Sequence, residues 1–128
     1  SNNEKNIMKE MTPNELIEYS KNNKCILIDV RTQREWETVG QPDGDQIGLK
    51  TYFVSIKDNS GAINSNFVNE ILDLEISNEI EIAFICKSGA RSALASDMLI
   101  NENYKCINVI DGVEGNQGWL NVGLPIQK

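Results

Sequence analysis

A chain of 128 residues, 40% hydrophobic and 24% charged, has the size and composition of one soluble globular domain. No apolar run reaches the roughly 18 residues a membrane helix needs, and no basic start leads into an apolar stretch, so neither a membrane span nor a signal peptide is expected. The net charge of −7 argues against nucleic-acid and anionic-membrane partners, and it requires any anion site to be built locally against the overall field.

There is no histidine, which removes the commonest general base, the commonest metal ligand and every Ser-His or Cys-His dyad. The three cysteines, Cys25, Cys86 and Cys106, form no C-x-x-C, so zinc ribbons and thioredoxin-type redox motifs do not fit. An odd number of thiols suits free cysteines in a reducing cytoplasm. Neither a metal nor a cofactor is implied.

Residues 1–10 read as an N-terminal tail and 11–128 as a single domain. Thr12-Pro13-Asn14-Glu15 opens a helix, with Thr at N-cap, Pro at N1 and Glu closing a capping box. Leu16, Ile17 and Tyr19 are expected to face the core. Residues 25–30 form a continuous apolar run, the pattern of a strand buried on both faces in a parallel sheet. Residues 32–39 read as a short helix or turn carrying Trp36, and 40–48 as a loop around Pro42-Asp43-Gly44. A strand over 51–56 and a turn at Asp58-Asn59-Ser60-Gly61 follow. Phe67, Val68, Ile71 and Leu72 have helical spacing within 66–74.

Residues 80–85 read as a strand and 88–100 as a helix with Leu94, Ala95, Met98 and Leu99 on one face. A strand over 106–110 leads into a Gly-rich tail with Trp119. Alternating strands and helices predict an α/β fold: a mostly parallel central sheet with helices on both faces, three layers in all. Glu75, Glu79, Glu81 and Glu102 read as a solvated acidic face.

Ligands of such sheets bind beyond the carboxyl ends of the strands. Cys86 stands at one of those ends. The small and polar residues Lys87, Ser88, Gly89 and Ala90 follow it, and Arg91-Ser92 opens the next helix. Such a loop can turn successive N–H groups into one concavity, and the helix start and the two cations add positive charge. That setting favours a cysteine thiolate. A cysteine that merely ends a buried strand explains the apolar run before it but not the glycine loop between Lys and Arg.

The stretch Cys86-Lys87-Ser88-Gly89-Ala90-Arg91-Ser92 resembles the active-site loop of single-domain rhodaneses, the sulfurtransferases. Asp29-Val30-Arg31 with Glu35-Trp36 is similar to the family's D-V-R…E-[FYW] segment. Asp111-Gly112-Val113, Gly118-Trp119 and Gly123-Leu124-Pro125 are similar to its closing G-G…W…G-x-P. The family's G-H-I-x-G-A stretch is absent; the sequence Val39-Gly40-Gln41-Pro42-Asp43-Gly44 stands there instead.

The resemblance implies a rhodanese-like fold and a persulfide route. Cys86 takes a sulfane sulfur from thiosulfate or a persulfide and passes it to cyanide or a thiol. The amides of residues 87–92 stabilise the sulfur. Arg91 is expected to orient an anionic donor and to matter more than Lys87, a mobile point charge. Asp29, Arg31 and Glu35 are expected to support the structure or edge the pocket, with Glu35 bonding backbone or Arg31. Trp36 and Trp119 read as packing residues, Cys25 and Cys106 as inert thiols, and Cys106 as a resolving thiol only in a minor alternative.

Two rival functions follow from the same residues. A phosphatase or arsenate reductase of related fold uses C-x5-R, whereas Cys86 to Arg91 is C-x4-R, a tighter ring suited to a single sulfur. A non-enzymatic binding or regulatory module on the same scaffold is the other.

Overall fold

The structure is a computed structural model and describes residues 7–128. The Ser1-Asn2 start and most of the expected tail lie outside the described residues. The elements run β1 Lys9–Met11, α1 Pro13–Ser20, β2 Cys25–Asp29, α2 Gln33–Val39, β3 Gln41–Pro42, β4 Thr51–Phe53, α3 Phe67–Leu72, β5 Glu81–Ile85, α4 Ala90–Ile100, β6 Lys105–Val109 and β7 Ile126–Gln127. The main sheet has the order β1-β6-β5-β2-β4, and every ladder in it is parallel.

The central strands are apolar throughout because alternate residues enter two different cores. Ile26, Ile28, Ile82, Phe84, Cys86 and Cys106 pack with Phe67 and Ile71 of α3 and Ala95 and Leu99 of α4. Leu27, Ala83, Ile85, Ile107 and Val109 pack on the other side with Leu16 of α1, Leu49 and Trp119. Helices therefore cover both faces. No helix of the described residues is long and apolar enough to cross a membrane.

Helix starts follow the sequence signals closely. The Thr12 hydroxyl accepts from Glu15 N–H, and the Glu15 carboxylate accepts from Thr12 N–H at 2.8 Å, a complete capping box. Thr32 and Glu35 repeat the arrangement at α2.

Four expectations are corrected. Lys9 and Glu10, read as tail, are the edge strand β1 paired to β6. A three-residue charged edge strand carries no apolar run to announce it. Glu81, read as solvated, is buried and accepts from Lys9 Nζ at 2.7 Å and Tyr19 Oη at 2.6 Å. Two donors compensate the buried carboxylate and fasten β1 and α1 to the sheet. Leu94 is exposed, because the inner stripe of α4 is Ser92, Ala95, Ser96 and Leu99, of which the first three are small and let the helix lie close to the sheet. Finally, β3 and β7 form a separate antiparallel pair, and its two-residue strands are too short to show in the sequence.

Candidate active site

Strand β5 delivers Cys86 to the carboxyl edge of the sheet, and four residues later α4 begins. Its N-cap is Gly89, which has φ +120 and no side chain to satisfy the first helical amides. The Cys86 sulfur does so instead. Sγ accepts the Gly89 N–H at 3.1 Å and the Ser92 N–H at 3.3 Å, the N-cap and N3 donors. Of the amides expected to ring the sulfur, these two reach it. Ser92 Oγ lies 3.2 Å from Sγ. The cysteine is only 1% exposed.

The loop is also held from the segment after β6. Val113 N–H donates to the Cys86 carbonyl at 2.9 Å, and Glu114 N–H to the Lys87 carbonyl at 3.0 Å. Between β6 and these donors sits Gly112, with φ +51. A Cβ there would collide with the Cys86 and Lys87 carbonyls, so only glycine permits this approach. That is the physical role of the Asp111-Gly112-Val113 motif.

Asn108 is a site residue that the sequence reading missed. It is buried near the end of β6, accepts the Ser92 hydroxyl at 2.6 Å and donates to the Gly89 carbonyl at 3.2 Å. A lone amide in the otherwise apolar stretch 106–110 is the signal that could have found it: a buried polar side chain needs partners.

The charges pair differently from expectation. Arg91 makes a two-point contact with Glu35, Nη1 to Oε1 at 2.7 Å and Nη2 to Oε2 at 2.9 Å. Its guanidinium is committed to α2 rather than presented to a donor, because the capping-box carboxylate at N3 of α2 faces the start of α4. Glu35 accordingly bonds Thr32 and Arg91, and Arg31 is not its partner. Arg31 instead grips Asp29, with Nε 3.1 Å from both carboxylate oxygens and Nη2 2.9 Å from Oδ2, and Nη2 also donates to the Gly40 carbonyl at 2.7 Å. Both side chains are fully buried, so the pair is closed off from solvent. Lys87 is exposed and makes no ion pair among the described residues, which leaves it as the unpaired cation of the loop.

Burial pushes the Glu35 carboxyl up, but the Arg91 guanidinium and Thr32 donors outweigh it and hold it down at about 2. An unfolded Glu35 takes a proton near 4.5, whereas the folded one resists until about 2. Within that window the unfolded state binds more protons, so this contribution to stability is complete above about 4.5 and fades as pH falls towards 2. Glu35→Gln should lower stability by about 1.5–3 kcal/mol at pH 7, since it breaks a charge-assisted contact. The difference from wild type in urea midpoint should shrink between pH 4.5 and 2; a constant gap across that range would exclude the pair as its source.

The other two thiols sit away from this chemistry. Cys106 is buried at the start of β6, opposite Ile82, four residues before Cys86, so roughly 13 Å of strand separates the two. It cannot resolve a disulfide with Cys86 in this fold. Burial raises its thiol to about 12 and that of Cys25 to about 11, which keeps both protonated. Trp36 packs edge-on against Phe53, ring centroids 5.5 Å apart. Trp119 is fully buried and donates from Nε1 to the Pro125 carbonyl at 2.6 Å, tying the closing segment to the core.

Comparison with known proteins agrees with this architecture. The family model described as Rhodanese-like domain matches residues 12–121. An uncharacterized protein of Rickettsia prowazekii is 41% identical over 112 residues, which cover 83% of this chain and 85% of that protein. The crystal structure of Rv0390 from M. tuberculosis superposes with a TM-score of 0.80 at 33% identity, covering 91% of this chain and 95% of that one. A rhodanese-like domain protein from Staphylococcus aureus shares the fold with a TM-score of 0.66 at 21% identity, covering 94% of this chain and all of the other (100%).

Proposed function

The chain belongs to the rhodanese-like domain family, and we propose that it is a sulfurtransferase that carries a sulfane sulfur on Cys86. The observation behind this reading is the convergence of the Gly89 and Ser92 N–H groups on the cysteine sulfur at a helix N-terminus. These donors, fixed by the fold, favour negative charge at that point.

The thiolate attacks the outer sulfur of thiosulfate or the sulfane sulfur of a persulfide. A new S–S bond forms as the donor's S–S bond breaks, and sulfite or a thiolate leaves with the bonding pair. Cyanide or an acceptor thiolate then attacks the terminal sulfur. The Cys86 thiolate departs, and thiocyanate or a new persulfide is released. No metal or cofactor enters either step. The nearly closed sulfur admits only a slim donor end. Three free thiols suit a reducing, cytoplasmic setting.

The test is mass spectrometry of the protein after incubation with thiosulfate and, separately, with a persulfide. Gain of one sulfur on the peptide containing Cys86, lost again on adding cyanide, is the expected result. No sulfur gained from either donor would favour the non-enzymatic binding module.

With Arg91 held by Glu35, Lys87 becomes the residue that attracts an anionic donor. A unit charge about 4 Å away in water contributes about 1 kcal/mol. Lys87→Ala should therefore raise KM for thiosulfate about fivefold at low salt, and the difference should vanish as salt screens an exposed charge. A KM penalty that stays constant up to high salt would assign Lys87 a direct contact instead.

A further inference from the structure

Ser92 and Asn108 close a hydrogen-bonded ring with the reactive cysteine. Sγ lies 3.2 Å from Ser92 Oγ, Ser92 Oγ donates to Asn108 Oδ1 at 2.6 Å, and Asn108 Nδ2 donates to the Gly89 carbonyl at 3.2 Å. The Gly89 N–H completes the ring at Sγ, 3.1 Å away. Ser92 and Asn108 are both buried. The Gly89 carbonyl fixes which way the amide points: turned over, Asn108 would set oxygen against oxygen. Its acceptor therefore faces Ser92. A serine has one proton, and a proton given to Asn108 is not given to sulfur.

We infer that Asn108 is a positioning residue that tunes the reactivity of Cys86 by directing the Ser92 proton away from the sulfur. In the thiol form the bonds run from S–H to Oγ and from O–H to Oδ1, and each donor has an acceptor. When the thiol proton leaves to water, Ser92 must turn its hydroxyl to reach the sulfur and give up its bond to Asn108. Asn108 thus favours the protonated sulfur over the bare thiolate. In a persulfide the inner sulfur carries neither proton nor charge, so the Ser92–Asn108 bond is retained. The ring protects the empty and loaded states and exposes the thiolate only for reaction. The purpose rests on the sulfurtransferase reading, but the reactivity effect does not need it.

The charged groups around the sulfur stay the same in all but one of the variants below. They lie on the elements packed against the cysteine loop: Lys87 on the loop itself, Arg91 of α4 with Glu35 of α2, Asp29 of β2 with Arg31, and Asp111 and Glu114 on the segment after β6. The measurement is the rate of iodoacetamide alkylation at Cys86 across pH, with the labelled peptide identified by mass spectrometry.

Asn108→Ala frees the Ser92 proton for the sulfur. One hydrogen bond of about 1 kcal/mol corresponds to about a fivefold faster reaction at neutral pH, with the midpoint moved to the acid side. Asn108→Leu, close in volume and without an acceptor, carries the same expectation if the smaller side chain loosens the fold. Asn108→Asp keeps the acceptor for the Ser92 proton whether its second oxygen is ionised or holds a proton towards the Gly89 carbonyl, so its midpoint does not move to the acid side. In a Ser92→Ala background, Asn108→Ala should leave the midpoint where it was.

A merely structural Asn108 changes all three single variants in the same direction and leaves the midpoint in place. That outcome, or an acid shift that survives Ser92→Ala, overturns the inference. Alkylation requires no sulfur donor, so failure of sulfur transfer and failure of this inference are read separately.

Discussion

Cys86→Ser is expected to stop sulfur transfer while leaving the fold in place. A hydroxyl cannot hold a sulfane sulfur as a persulfide, and without a neighbouring base it is a weak nucleophile; among the 128 residues there is no histidine to supply one. The loss should be at least about a thousandfold in thiocyanate formation, the scale seen when a sole nucleophile is removed. The fold should survive because serine is a favoured helix cap. Its oxygen can accept the Gly89 and Ser92 amides that the sulfur now accepts. Thermal unfolding should therefore change by no more than about 1 kcal/mol. Thiocyanate well above the uncatalysed background from the folded serine variant would falsify the assignment of Cys86.

The sequence makes the sheet legible because each buried strand is short, apolar and followed by an amphipathic helix. The two-core alternation of Ile26, Leu27 and Ile28 needs no long-range information beyond that. The capping boxes at Thr12 and Thr32 are legible for the same reason: every atom involved lies within four residues. Partnerships across the fold are harder. Glu35 and Arg91 are 56 positions apart, and whether Glu35 takes Arg31 or Arg91 depends on how α2 sits against α4. Charge alone cannot rank the two arginines. Glu81 looks like its acidic surface neighbours until Lys9 and Tyr19 close over it. Asn108 is visible only as a polar residue in an apolar strand, and its meaning depends on Ser92 lying beside it. The sequence thus points to the loop and the nucleophile. The structure supplies the charge pairing and the buried ring.

The largest stability effect is expected at the Asp29–Arg31 pair, and it should be strongly non-additive. Both side chains are fully buried. Burial pushes the Asp29 carboxyl up, and Arg31 opposes that shift without cancelling it. The charged pair is thus held together by geometry at a considerable desolvation cost, and Arg31 Nη1 is buried without a partner among the described residues. Arg31→Met alone strands a buried carboxylate, and Asp29→Asn alone strands a buried guanidinium. Each should cost about 3–5 kcal/mol, a large part of a small domain's stability. The double variant removes both charges together. The amide oxygen it introduces at position 29 can still accept the backbone N–H of residue 31, a bond the Asp29 carboxylate now makes at 2.9 Å. What the double variant loses is the Arg31 donor to the Gly40 carbonyl, on the order of 1–3 kcal/mol for one unsatisfied buried acceptor. Urea unfolding of the two singles and the double closes the cycle. The double should be more stable than either single. If the three losses simply add, the pair is not coupled, and the stability at this corner of the fold comes from packing alone.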